Sequence, residues 1–374
     1  MTRFGFIVHP LTARDMARKF PIAKYLPESW VEAMARKKDP VVMSEIKGIR
    51  SITGAETEGW FIGLPYTPRQ MTQTVPIDEV YTKIAKCGDL AMSLGADILG
   101  LGAFTSVVGD GGITIAQRTK IKAVTTGNSY TVATAIEGTV KACELLEVDL
   151  ANATLAVVGA TGSIGKTCAR VLGRSFGRTI LVGRDMERTQ AVANELDGAI
   201  ASTNVADINQ ADAIITVSSA GKELILPEHL RPGAVVCDVA RPRDVSARVT
   251  KERPDVLVIE GGVVRVPGNV EFNMSFGFPA KTAYACMSET MMLALEGRVE
   301  NFTLGKDVTV EQVDEINKLA HKHGFELAGF RSFEKAVDDE AIERAKAARR
   351  GSTKRDRPGP PSQATDFGGV PDAG

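Results

Sequence analysis

Two segments of this chain have residue types and spacings that can do chemistry. The first is Leu155-Ala156-Val157-Val158-Gly159-Ala160-Thr161-Gly162-Ser163-Ile164-Gly165. A buried-type strand precedes the glycines and an amphipathic helix, Ile164–Phe176, follows them. Gly159 permits a tight turn, Gly162 lets backbone approach a pyrophosphate, and Gly165 lets helix and strand pack closely. The helix N-terminus then offers free N–H groups to an anion. With Thr161, Ser163 and Ile164 between them, these residues are the candidate dinucleotide cradle. Ser218, just after a later strand, and Gly261 join the set. The competing reading is a glycine turn without a ligand.

The next strand ends Leu181-Val182-Gly183-Arg184-Asp185. A site for NAD ends this strand with an acid on the ribose 2′-OH. Here a cation comes first, with Arg188 one helical turn further on. Guanidinium groups pair with a 2′-phosphate, so NADPH is the expected cofactor. Asp185 keeps NAD open.

The second segment is Pro279-Ala280-Lys281-Thr282-Ala283-Tyr284-Ala285-Cys286-Met287-Ser288-Glu289. Its spacing predicts one helix over Pro279–Gly297, with Cys286 on the face shared by Ala283, Met287, Thr290 and Met291. Cys286 then reads either as a small core residue or as a nucleophile facing a nicotinamide. On this expectation it lies about two turns into the helix, where the dipole is weak. Glu289 would oppose a thiolate.

Two polar loops offer donors for a carbonyl oxygen. One is Gly100–Ser106, with Ser106. The other is Thr125–Tyr130, with Asn128 and Ser129. Both loops also suit helix capping and turn chemistry.

Around these groups the chain alternates strands and helices. Thr154–Val158, Thr179–Val182, Ala199–Ala201, Ala213–Val217, Ala234–Cys237 and Val256–Ile259 are short apolar runs without polar alternation, as in strands buried on both faces. A Rossmann-type, doubly wound parallel α/β sheet is expected over 151–278. An N-terminal α/β substrate domain over 1–125 precedes it, joined by a connecting helix over 126–150. C-terminal helices over 279–330 carry Cys286 and pack back on the N-terminal domain. Residues 349–374 read as a disordered tail of Pro, Gly and charge.

Bulk properties exclude several classes. The 374 residues carry a net charge of −1, so bulk charge does not favour nucleic acid or anionic membrane. Hydrophobic residues are 44%, ordinary for a packed protein. The most apolar stretch, Ala96–Ala116, holds Asp97, Asp110 and several glycines, so no integral membrane segment is expected. The N-terminus lacks a signal-peptide pattern, and a cytoplasmic protein is expected. Cysteines 87, 143, 168, 237 and 286 form no Cys-x-x-Cys pair, and the four histidines form no ligand set, so no metal is expected. His321 and His323 read as surface residues.

Five segments, in order, resemble the long-chain acyl-[acyl-carrier-protein] reductases. They are Gly102–Ser106, Thr125–Thr131, Gly159–Gly165, Gly261–Val264 and Ala285–Glu289, with Phe4–Thr12 ahead of them. The resemblance runs from about Phe4 to Phe325. It implies an NADPH-dependent oxidoreductase in which Cys286 takes a fatty acyl group from a thioester and releases an aldehyde. The implied substrate carrier is an acyl carrier protein or coenzyme A. An acidic carrier would need a basic surface, and Arg36–Lys38 and Arg118, Lys120 and Lys122 are candidates. Ala35–Tyr81 and Pro267–Phe278 match that family poorly. Two other readings stay open: a shikimate- or amino-acid-type dehydrogenase on the same scaffold, and a nucleotide-binding regulator without chemistry.

Overall fold

A computed structural model describes residues 1–18, 24–275 and 279–355. In chain order the strands are β1 (Phe4–Val8), β2 (Val41–Arg50), β3 (Glu56–Gly63), β4 (Ile98–Gly100), β5 (Ala123–Thr125), β6 (Thr154–Val158), β7 (Arg178–Val182), β8 (Ile200–Ser202), β9 (Ala213–Thr216), β10 (Val235–Asp238), β11 (Leu257–Glu260), β12 (Val263–Arg265), β13 (Gly268–Glu271) and β14 (Thr282–Tyr284). They build two six-stranded sheets and, with Glu326–Leu327, a small antiparallel one, while Arg331–Ser332 and Lys335–Ala336 form a two-stranded ribbon.

The second large sheet has the order β11-β10-β9-β6-β7-β8, and every pairing is parallel. This is the doubly wound order, with the chain reversing between β6 and β9. All six strands lie within one residue or so of the apolar runs expected from sequence. Their central residues, such as Ala156, Leu181, Ile214 and Val236, are buried, because helices cover both faces.

The first sheet has the order β13-β2-β3-β1-β4-β5. β1, β3, β4 and β5 run parallel, and β2 and β13 are antiparallel additions at one edge. Residues 268–271 thus return from beyond the second sheet to complete the first.

The helix Asn128–Leu145 lies between the two sheets. It packs on the helices Ser163–Leu172, Ala285–Leu295 and Val310–His323 and on β10. One hydrophobic core runs from Phe4, Phe6 and Phe61 through Val132 and Ala135 to Leu155 and Val157. Burial of so many large side chains, at about 25 cal/mol per Å² of apolar surface, is what holds the two sheets against that helix.

Three expectations need correction. The segment after Pro279 is not one helix. Thr282–Tyr284 pairs antiparallel with Val263–Arg265, and the helix begins at Ala285. His323 is not at the surface. It is 1% exposed, with its Nδ1 2.9 Å from Ser51 Oγ and its Nε2 2.7 Å from Glu296. Residues 349–355 are the end of the helix Asp339–Arg355, anchored by the ion pair Arg349–Asp212 at 2.7 Å. The rest of the expected tail lies outside the described residues.

Candidate active site

A cavity of about 1360 Å³ lies between the two sheets. The first sheet supplies Phe6 to Pro10 and the loop around Ala103 and Ser106. The second sheet supplies Ile164, Val217, Ser218, Val239 and Gly261, at the carboxyl ends of its strands. Asn128 and Cys286 complete the floor. Ligands bind in this crevice in doubly wound sheets.

The start of the helix at Ala285 changes the reading of Cys286. The cysteine is the second helical residue, in the first turn rather than two turns in. Backbone N–H groups of Cys286, Met287 and Ala103 are directed at its sulfur. Burial nevertheless pushes the thiol up to about 12, and Glu289 adds to this. Desolvation of the charged form outweighs the three amides, so the resting group at neutral pH is a thiol. The other four cysteines are fully buried.

Ala103 reaches the sulfur through a costly conformation. It has φ 47° and ψ −121°, outside the regions favoured by a residue with a side chain. Such strain is kept where surrounding contacts impose it. Here His9 does so. The Phe104 N–H donates to His9 Nε2 at 3.3 Å, and His9 Nδ1 lies 3.1 Å from the Pro10 carbonyl. That pattern requires the neutral ring with its proton on Nδ1. Burial lowers the His9 pKa, which keeps the ring neutral. The sequence reading missed this role. The position of His9 at the end of a strand, beside Pro10, was its only signal.

Glu289 is fully buried and accepts from four donors. They are the hydroxyls of Thr125, Ser129 and Thr303 and the N–H of Tyr130, the last at 3.0 Å. A carboxylate from one helix therefore caps the N-terminus of another. The expected local cap is absent, since Gly127 occupies the cap position with no side-chain bond. Ser129 is thus corrected. Its hydroxyl is spent on Glu289 at 2.6 Å and does not face the cavity. Asn128 and Ser106 do line the cavity. Asn128 Nδ2 donates to Ser163 Oγ at 3.4 Å, and Ser106 Oγ donates to the Ala103 carbonyl at 2.7 Å.

The glycine loop fits a dinucleotide. Gly159 has φ 84°, and a Cβ there would lie 3.0 Å from the Val217 and Ser218 backbone. A Cβ on Gly165 would meet the Gly159 carbonyl oxygen at 2.4 Å. Gly162 is exposed, and a Cβ on it would find nothing nearer than that oxygen at 3.4 Å. The helix Ser163–Leu172 has no side-chain cap, so side chains leave its first N–H groups to a ligand. Thr161 and Ile164 flank this entry. Ser218 is held at the rim by Asp244, which accepts its N–H at 2.8 Å and its hydroxyl at 2.6 Å. A Cβ on Gly261 would meet Val239 at 2.7 Å, so β10 and β11 end in close contact beside the cavity.

Arg184 and Arg188 are exposed at the end of β7. Asp185 has another task. It is the N-cap of the helix Met186–Ala193 and accepts the Arg188 N–H at 2.9 Å. Of the basic groups singled out in the sequence, Lys38 lines the cavity mouth. Arg118 and Lys122 pair instead with Asp78 and Asp97.

Residues 141–260 match the family described as Shikimate / quinate 5-dehydrogenase. That span covers the second sheet and stops before Cys286. The resemblance to the acyl-[acyl-carrier-protein] reductases is borne out. The chain is 28% identical over 343 residues to the long-chain acyl-[acyl-carrier-protein] reductase of Synechococcus elongatus, covering 86% of this chain and 98% of the relative. It is also 28% identical over 355 residues to the aminotransferase PigE of a Serratia species, covering 91% of this chain and 41% of PigE. The chain therefore spans about two fifths of the length of PigE. Among solved structures, L-tryptophan dehydrogenase from Nostoc punctiforme aligns with a TM-score of 0.43 at 15% identity, over 95% of this chain and 90% of that one. The matched dehydrogenase family model falls on the second, parallel sheet and its glycine loop.

Proposed function

We propose that the chain reduces a fatty acyl thioester, carried on an acyl carrier protein or coenzyme A, to an aldehyde with NADPH. The observation that carries this is the place of Cys286. It stands in the first turn of a helix, three amides face its sulfur, and the cavity beside it reaches Ile164, in the first turn of the helix after the glycine loop.

The sulfur loses its proton and attacks the thioester carbonyl carbon. The carrier thiolate leaves and takes up a proton, and the acyl group rests on Cys286. The amides of Cys286, Met287 and Ala103 disperse the negative charge on sulfur. The side-chain amide of Asn128 is the donor for the carbonyl oxygen. His9 acts as a positioning residue, because it holds the strained Ala103 loop against the thiol. A reduced nicotinamide bound there would supply, as hydride, the hydrogen and the two electrons that convert the acyl group to an aldehyde. Gly159, Gly162, Gly165 and the N–H groups at Ser163 and Ile164 hold its pyrophosphate, with Thr161 and Ser218 at the edge. Arg184 and Arg188 hold the 2′-phosphate. The sulfur of Cys286 departs from the product carbon as thiolate when the carbonyl re-forms, and takes up a proton from solvent to return the thiol.

The test is intact-protein mass after mixing with a long-chain acyl thioester, without NADPH, beside Cys286→Ser. The reading expects one acyl adduct on the wild type alone, discharged as aldehyde on adding NADPH. Failure to form an adduct from any thioester overturns it and returns the site to ketone or imine reduction.

A further inference from the structure

The cavity mouth opens through an apolar rim that no other part of the described chain covers. The helix Glu28–Arg36 buries Val31 and Ala35 and turns Trp30 and Met34 outward, one turn apart, at 65% and 47% exposure. Beside it, Val41, Val42 and Met43 are three consecutive exposed apolar residues at the start of β2. Met34, Val41 and Met43 also line the cavity, so rim and mouth are one surface. Isolated exposed apolar residues are ordinary, but a contiguous set around an opening marks a contact surface.

The charges at this rim are not balanced. Most of its acids are paired, Glu28 with Arg14, Asp39 with Lys86 and Glu79 with Arg36, while Asp15 accepts from the Thr12 N–H and hydroxyl. Lys37 and Lys38 follow the helix directly, are exposed, and have no acidic partner among the described residues. The surface thus combines an outward tryptophan, aliphatic side chains and free ammonium groups. Indole rings settle at the headgroup level of a bilayer. Short amphipathic segments with lysines bind anionic lipid by adding apolar burial to charge attraction.

We propose that this rim docks the protein on the surface of an anionic lipid bilayer, with the cavity mouth facing the lipid. Among the described residues no helix is long and apolar enough to cross a membrane, so the contact is peripheral. It rests on the reading of Cys286 only for its purpose, which is to pass a water-insoluble aldehyde into lipid without crossing water.

The full chain is sedimented with vesicles of phosphatidylcholine alone and with 30% phosphatidylglycerol, while tryptophan emission is followed. The chain has two tryptophans, and Trp60 is already half-buried, so Trp30 reports the contact. Binding to the anionic vesicles with a blue shift is expected. Trp30→Ser should lose the shift and weaken binding about tenfold, and Lys37→Glu should weaken it about tenfold at low salt. Neither residue lines the cavity, so acylation of Cys286 by a soluble short-chain thioester, without vesicles, checks the catalytic reading separately. No vesicle binding overturns the proposal. So does binding that both variants leave intact, a rim closed by a second copy in sedimentation equilibrium, or an acidic carrier protein as the sole partner lost on these substitutions.

Discussion

Gly127 and Cys286 touch backbone to backbone. A Cβ on Gly127 would lie 2.4 Å from both Cα and Cβ of Cys286. Gly127 also has φ 74°, in the left-handed region. Two independent demands, space and conformation, therefore fall on the residue that starts the Asn128 helix. The contact sets where the thiol stands relative to Asn128.

Gly127→Ala should accordingly displace Cys286. Left-handed strain alone costs about 1–2 kcal/mol. A shift of an ångström at the reacting atom costs about 100-fold in rate. Adduct formation on Cys286 should fall by about that factor, while dinucleotide affinity stays within about twofold. An unchanged acylation rate would show that the contact does not position the thiol.

Alkylation of Cys286 should be slow at neutral pH and rise steeply. Its thiol is pushed up to about 12, and below that value the thiolate fraction grows about tenfold per pH unit. Iodoacetamide kinetics from pH 7 to 10 read this directly, since the other cysteines are buried. Glu289→Gln removes a negative neighbour and should move the curve to lower pH. It should also cost about 1–3 kcal/mol of stability, because donors to the carboxylate lose a charged acceptor.

Arg184→Ala and Arg188→Ala should each weaken NADP+ binding by about tenfold. NAD+ affinity should change little, because neither guanidinium has a hydrogen-bond or ion-pair partner among the described residues. Calorimetric titration with both nucleotides separates the outcomes. Equal losses for the two would remove the 2′-phosphate from the explanation.

Asp238 should make stability fall with rising pH in an acidic window. Burial raises its carboxyl to about 6, while the N–H groups of Val245 and Asp244 hold it down in part. The folded state keeps the proton where the unfolded chain, near 3.8, has released it. Stability from this group is thus present at low pH and lost between about pH 4 and 6, by about 3 kcal/mol in all. Asp238→Asn should flatten that part of the curve. Urea midpoints at pH 4.5 and 7 measure it, and parallel curves for the two proteins would contradict the assignment.

Much of the scaffold is legible in local residue patterns. β6 to β11 read correctly because strands covered on both faces must be apolar throughout, and a short apolar run records that directly. Gly159 and Gly165 are glycine because backbone sterics there admit little else, whereas Gly162, at φ −79° with ordinary contact distances, has room for a side chain. The helix of Cys286 did not. Ala280 to Ala285 has helical composition, and only pairing with Val263–Arg265, distant in sequence, makes Thr282–Tyr284 a strand. That non-local pairing moves the cysteine by more than a turn, into the amides of the helix start.

The polar network shows the same division. Ser129, Thr125 and Thr303 are donors in any reading, but which acceptor they serve depends on the packing of separate helices. Glu289 reaches them only because the Ala285 helix lies across the start of the Asn128 helix. His9 likewise acquires its role from a loop nearly a hundred residues away. The amino-acid sequence by itself therefore determined the doubly wound sheet, the dinucleotide loop and the presence of a thiol, since these follow from local sterics and burial. The tertiary structure alone decided what surrounds that thiol, because hydrogen bonds and close contacts between distant segments exist only once the two sheets have closed on the central helix.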